Sequence, residues 1–248
     1  MKALHFIGIL LPLLGCSHGS PADHEVHSQK MNRTLIAETQ LTKQELKTTL
    51  KTKMHLKVPL IKQNPELKYG CEVTSLAMLL KFAGVNIDKM MLYQEIKKDN
   101  DPLKRVRGNI ISWGNPADGF VGDMTGRGPG YAVFDQPMIE LINRYLPGRA
   151  VNLTGKDFEV VLAHVSAGYP VVIWTTGDYK LPDRWESWTH DKEVIKTPLD
   201  LHAVVLVGYE GNTLYLNDPL SGKRDVPVNK QQFIDTWKAM NSRAVSYK

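Results

Sequence analysis

Apolar and polar positions follow two rhythms along this chain, and the change between them sets the expected architecture. Ala3 to Leu14 is an apolar stretch broken only by His5, and the polar residues from Ser17 to about residue 38 read as a tether. Within Gln40 to Thr52, Leu41, Leu46 and Leu50 fall on a loose helical face, so a short helix is expected there. The folded domain is expected to start at Leu56-Lys57-Val58-Pro59-Leu60, an edge-type strand that tolerates its proline. Gly70 to Phe82 then has a helical pattern, with Gly84 in position to end it. Asp88 is placed to cap a helix to about Lys97, Asp135 another to Tyr145, and Thr154 a third to Ala167. A strand over Arg149 to Leu153 separates the last two.

Past Gly168-Tyr169-Pro170 the rhythm shortens. Val171 to Trp174 reads as a buried strand. Leu201 to Tyr209 is a β-branched run that turns at Glu210-Gly211-Asn212 and returns over Thr213 to Asn217. Asp218 to Gly222 turns into a strand at Lys223 to Val226, Asn229 caps a helix to Met240, and Arg243 to Tyr247 is a last strand. Helices first and an antiparallel sheet second make an α+β pattern. Residues 100–133 and 177–199 fit neither rhythm and are expected to be irregular. Their aromatic and glycine-bearing turns, with Trp113, Phe120, Tyr131, Trp185 and Trp188, mark candidate substrate-facing loops.

Composition narrows the picture modestly. The 248 residues, 42% hydrophobic and 23% charged, suit one sizeable globular core. A net charge of +5 is compatible with an anionic surface such as wall polymer or acidic lipid. The basic residues are dispersed, with no basic-aromatic stripe, so nucleic acid is not an expected partner. Lys43, Lys47, Lys51, Lys53 and Lys57 make the approach to the domain basic, as a solvated face or a docking strip. His24 and His27 lack a matching ligand cluster, and neither a metal nor a cofactor is expected.

The candidate chemistry begins with the two cysteines. Leu13-Leu14-Gly15-Cys16 follows the apolar stretch and resembles the bacterial lipobox. The expectation is a signal peptide over 1–15, lipidation of Cys16, a tether over 16–55 and a domain over 56–248, exported and attached to the outer face of the cell membrane. A plain secretory signal is the alternative. Lipidation would leave Cys71 as the one free thiol, just after Gly70 at a helix start, where the helix dipole favours a thiolate.

A nucleophilic thiol needs a base and a group that orients the base. His202 opens the first strand of the hairpin and Asp218 closes the second, so the two meet at its open end. Asp218 can accept from one imidazole nitrogen while the other faces Cys71. Gln63, in a loop upstream, can donate its amide to a developing oxyanion beside the Cys71 backbone N–H. Each residue alone has a structural alternative: an inert buried thiol, a strand-edge histidine, an Asp-Pro turn. Their joint arrangement favours chemistry. His190-Asp191 imitates a base with its orienter, but a surface loop accounts for it.

Several segments carry a family resemblance: Val58-Pro59 through Gln63, Gly70-Cys71-Glu72-Val73-Thr74-Ser75-Leu76-Ala77-Met78, Trp113-Gly114-Asn115-Pro116, Gly119-Phe120-Val121-Gly122, Gly168-Tyr169-Pro170-Val171, His202 to Tyr209 and Asn217-Asp218-Pro219. In that order they resemble the bacteriocin-processing-type (C39-like) cysteine peptidase superfamily of the papain clan, in an exported, stand-alone bacterial form. His202 follows Cys71 by 131 residues, within the papain-like range of about 130–150. The resemblance implies a papain-like fold with Cys71 as nucleophile, His202 as general base, Asp218 as orienting acid and Gln63 in the oxyanion hole. It implies a peptide or protein substrate, which includes cell-wall peptide. Transporter-linked members are fused to a membrane exporter, so leader processing does not carry over. A wall amidase or transpeptidase using the same residues, and a catalytically silent peptide-binding module, are the alternatives.

Overall fold

The computed structural model describes residues 50–248. The signal segment, Cys16 and the tether up to residue 49 lie outside them, as does the helix expected from Gln40 except for residues 50–52, which are not helical. The elements run β1 (Lys53–His55), α1 (Cys71–Phe82), α2 (Lys89–Glu95), β2 (Lys98–Asp99), β3 (Lys104–Val106), β4 (Asn109–Ser112) and β5 (Phe120–Val121). They continue through α3 (Asp135–Tyr145), β6 (Ala150–Asn152), α4 (Phe158–Ser166), β7 (Val171–Thr176), β8 (Trp185–His190) and β9 (Glu193–Pro198). The last are β10 (Leu201–Glu210), β11 (Thr213–Asp218), β12 (Lys223–Asn229), α5 (Lys230–Ala239) and β13 (Ala244–Tyr247).

Strand β10 is the axis of an antiparallel seven-stranded sheet of order β12-β11-β10-β7-β13-β6, with β1 pairing beside its far end. All of β7 and residues 202–209 of β10 are buried, which is why both read as continuous β-branched runs rather than alternating ones. Helix α1 packs on β10 and β7 and is buried at every position from Cys71 to Leu80. A helix buried around its whole circumference belongs inside a core, and its polar Glu72 and Ser75 side chains are hydrogen-bonded there. Truncating any one of Leu76, Leu79 or Leu80 to alanine should cost about 2–5 kcal/mol. Ser75 Oγ donates to the Ala203 carbonyl at 3.1 Å, pinning α1 to β10. Gly84, at φ +87°, ends the helix in the left-handed region as expected.

Several boundaries differ from expectation for identifiable reasons. The edge strand lies at β1, three residues before the expected start at Leu56; Leu56 N still donates to Val207 O at 2.8 Å. Pro59, with no N–H to give, stays outside any ladder. Asp135 does not cap α3 but begins it, and its carboxylate accepts from Asn152 Nδ2 at 2.9 Å. Thr154 is occupied too: its Oγ1 accepts from Ala244 N at 3.2 Å, and α4 begins only at Phe158.

Of the two stretches expected to be irregular, 177–199 is about half strand, in the β8–β9 hairpin, while 100–133 is mostly irregular and carries only the short strands β3, β4 and β5. β3, β4, β8 and β9 form a four-stranded sheet, and β2 pairs with β5 in parallel. Ile110, Trp113, Val121 and Trp188 fill a second apolar cluster there. Backbone approaches backbone closely at the Gly122–Gly130 bridge, where a Cβ on Gly130 would run into the Asp123 carbonyl. These glycines serve contact between chain segments rather than looseness.

Candidate active site

The β10–β11 register pairs Val205 with Asn217 and leaves His202 and Asp218 at the open end of the hairpin, as expected. His202 Nε2 lies 2.7 Å from Asp218 Oδ1, and both side chains are buried. Oδ1 also accepts from Leu220 N at 2.8 Å, and Oδ2 accepts from the Tyr179 hydroxyl at 3.0 Å. Burial works to raise the pKa of Asp218. The hydrogen bond and charge of His202, with donors from Ser221 and Leu220, outweigh it and hold the carboxylate well below the usual range.

Cys71 is the first residue of α1 and is 6% exposed. Its thiol donates to Glu72 Oε2 at 3.3 Å, while Glu72 Oε1 accepts from Val133 N at 3.1 Å. Burial first, and the Glu72 charge second, push the thiol well above the ordinary cysteine range. The backbone amides of Ala203 and Glu72 work the other way but do not prevail. The expectation of a thiolate favoured by the helix start is therefore corrected: in this environment the resting group is a thiol. Burial likewise raises Glu72 to about 7, against its backbone hydrogen bonds and the one from Cys71.

Gln63 is held from several directions. Its backbone N donates to Pro219 O at 2.9 Å, just past Asp218, and Lys89 Nζ donates to the Lys62 and Gln63 carbonyls at 2.6 and 2.8 Å. Its Nε2 donates to Lys68 O at 2.8 Å, and Oε1 is buried with no partner among the described residues. Gln63, Cys71 and His202 line one cleft of about 610 Å³, together with Tyr131, Leu199 and Asp200.

The aromatic residues divide. Tyr131 lines the cleft, its hydroxyl bonded to Thr197 Oγ1 and Pro198 O. Trp113 and Trp188 are in the second core, where Trp188 Nε1 donates to Gly114 O at 2.8 Å, and Phe120 is in the main core. These three are corrected from substrate-facing to packing residues, since none has surface to offer. Trp185 is 43% exposed but under the Lys196 ammonium, and it does not line the cleft. Tyr179 and Glu72 were not singled out from sequence. Glu72 had a visible signal, a carboxylate beside the cysteine inside an apolar run; Tyr179 had none.

Outside the cleft lining, Asp99, Asp118 and His190 bring possible metal-ligand atoms within 4.8 Å of one another. His190, expected on a surface loop, ends β8 and lies 3.2 Å from Asp99 and 3.5 Å from Asp101. The His190 imidazole and the Asp99 carboxylate are within hydrogen-bonding distance, which ties the end of β8 to β2.

An α+β fold with a thiol, an imidazole–carboxylate pair and a side-chain amide around one cleft has the layout of a cysteine-peptidase-type site. The chain belongs to the Peptidase_C39 like family, whose model matches residues 55–245. It is 36% identical over 181 residues to the uncharacterized protein YvpB of Bacillus subtilis strain 168, covering 73% of this chain and 70% of that one. It also resembles the crystal structure of a proposed C39-like peptidase from Bacillus anthracis, with 42% identity, a TM-score of 0.73, and coverage of 79% of this chain and 97% of the other. Xylellain, a cysteine protease from Xylella fastidiosa, is more distant: 13% identity and a TM-score of 0.45, over 82% of this chain and 88% of that one. Family membership supports a peptidase-type function.

Proposed function

We propose that this chain is a cysteine peptidase hydrolysing a peptide or related amide bond through a thioester. Cys71 is the nucleophile, His202 the base and then the acid, and Asp218 the group that orients the imidazole. The 2.7 Å His202–Asp218 pair, opening onto the cleft that Cys71 lines, carries this proposal. With Nε2 engaged by Asp218, Nδ1 is the nitrogen left to take the thiol proton. The sulfur attacks the substrate carbonyl carbon and charge develops on the carbonyl oxygen. An amide nitrogen carries two N–H donors, and Gln63 uses one on Lys68. The other, with the Cys71 backbone N–H at the helix start, would stabilise that oxygen. Nδ1–H then protonates the leaving amine as the C–N bond breaks. A water that gives its proton to Nδ1 cleaves the thioester, and the departing sulfur recovers a proton.

Replacing Cys71 by alanine should abolish both peptide cleavage and labelling by a thiol-directed peptide electrophile; labelling that survives the change would reject the assignment. The raised thiol pKa favours one other reading, a silent peptide-binding module. That reading requires Cys71→Ser to leave the cellular function intact. We further propose that the protein works at the outer face of the cell membrane, held through Cys16, on the support of Leu13-Leu14-Gly15-Cys16. Metabolic labelling with a fatty-acid analogue should mark the wild type and not Cys16→Ala; an unmarked wild type rejects the anchor.

A further inference from the structure

Asp200 lies in the short link between β9 and β10, two residues before His202, and lines the same cleft as Cys71 and Gln63. Its backbone is fixed, since Gly177 N donates to Asp200 O at 3.0 Å. Its carboxylate is not satisfied in the same way. Oδ1 is buried without a hydrogen-bond partner among the described residues, and no lysine, arginine or histidine there forms an ion pair with it. The residue as a whole is only half-buried at the cleft wall, so its charge, which no basic side chain among the described residues pairs, can be met by a donor that enters the cleft.

The surroundings select the kind of donor. Burial raises the Asp200 pKa, and the nearby charges of Asp178 and Asp183 push it further the same way. The residue's own backbone amide, the second-largest influence, and Arg184, the weakest, oppose them. A neutral N–H would fill the hydrogen bond but leave this concentration of negative charge unmatched; a cation answers both. Lys68, the other charged residue of the cleft, is exposed, with its ammonium 5.2 Å from the Tyr69 ring centre. The two opposite charges would orient a bound chain.

We propose that Asp200 forms a subsite for a cationic group, a lysine or arginine side chain or another primary ammonium, carried by the substrate within a few residues of the scissile bond. Leu199 and Leu220, each partly exposed at the cleft, would cover the aliphatic stem of such a group. This inference rests on the cleft being the peptide site, and its test separates the two claims.

Matched peptides carrying lysine, norleucine or glutamate at each position around the bond cleaved by the full chain supply the measurement. The expected result is a kcat/KM for lysine at least about tenfold above norleucine at one position, consistent with a charge-assisted hydrogen bond. Within Asp200→Asn that lysine-to-norleucine ratio should fall to about two or less, and Asp200→Lys should favour glutamate. A melting curve for each variant establishes that it is folded, and the ratio is internal to each protein. The same peptides, fluorescently labelled, are titrated into Cys71→Ala and into Cys71→Ala with Asp200→Asn. Cleavage without any lysine preference, or a preference that survives Asp200→Asn, overturns the subsite and leaves the peptidase proposal standing. Absence of cleavage with tighter, Asp200-dependent binding of the lysine peptides supports the subsite and rejects the peptidase. Absence of both cleavage and such binding overturns the subsite as well.

Discussion

Asp218 and Glu72 are both buried carboxylates within hydrogen-bonding distance of a candidate catalytic side chain, yet their surroundings drive them in opposite directions. Around Asp218 stand His202, Tyr179 and the Leu220 amide, all donors, and the group stays ionised. Glu72 receives the Val133 amide and a weakly acidic thiol, and burial lifts it to about 7. The base half of the site is thus preset for charge, while the nucleophile half resists it. A cleft built in this way would keep its sulfur protonated until a substrate engages it. That restraint limits unwanted oxidation, which follows thiolate character.

The largest effect belongs to the groups proposed to react. Cys71→Ala and His202→Ala should each lower kcat/KM by about 10⁴-fold or more, and the double variant should be little worse than either, because the two act as a unit. Steady-state assays on one cleaved peptide read this directly. Effects that multiply would mean the halves work independently. Asp218→Asn comes next: it keeps the shape but removes the charge that holds the imidazole, for a loss of about 10²–10⁴-fold. Activity near wild type there would show that the preset charge is not needed.

Glu72→Gln attacks the contrast from the nucleophile side. Removing a neighbouring negative charge should move the pH midpoint of Cys71 alkylation down. The same variant has a signature in stability. Glu72 titrates at about 7 in the fold against an ordinary 4.5, so the folded state holds its proton more tightly than the unfolded chain. That contribution is complete below pH 4.5 and is lost as the pH rises through about 7. Between pH 5 and pH 8 the wild type should therefore lose up to about 3 kcal/mol that Glu72→Gln does not lose. Urea unfolding at the two pH values measures the difference; parallel losses would place the Glu72 pKa near its ordinary value.

The base half was also the more legible half in sequence, for a physical reason. A long β-branched strand, a Glu210-Gly211-Asn212 turn and a returning strand constrain one another, so His202 and Asp218 meet by register alone. Cys71 at a helix start was legible too, from Gly70 and the apolar run behind it. Its protonation was not, because it depends on how deeply Glu72 is buried and on Val133, 61 residues away in sequence, donating to it. The tryptophans misled for a related reason. Trp113 directly follows β4 and Trp188 lies in β8, strands that one sheet joins, and nothing local to either segment announces that they share a core. Local rules find elements closed by their neighbours in sequence and miss those closed from far away.

Tyr179 carries the smallest predicted effect and tests whether the base half is preset by more than one bond. It holds φ +63°, a strained value for a tyrosine, and its carbonyl accepts from Gln232 Nε2 at 3.1 Å and Thr236 Oγ1 at 3.2 Å. Helix α5 therefore fixes the residue whose hydroxyl reaches Asp218 Oδ2. Losing that hydroxyl in Tyr179→Phe removes one hydrogen bond to a charged acceptor, for about 1 kcal/mol and a three- to tenfold fall in kcat/KM. If the hydroxyl acts by holding Asp218, the loss should nearly vanish when Tyr179→Phe is made in the Asp218→Asn background, giving a coupling energy of about the same size. Additive effects would assign Tyr179 to packing against α5 and leave His202 as the partner that matters to Asp218.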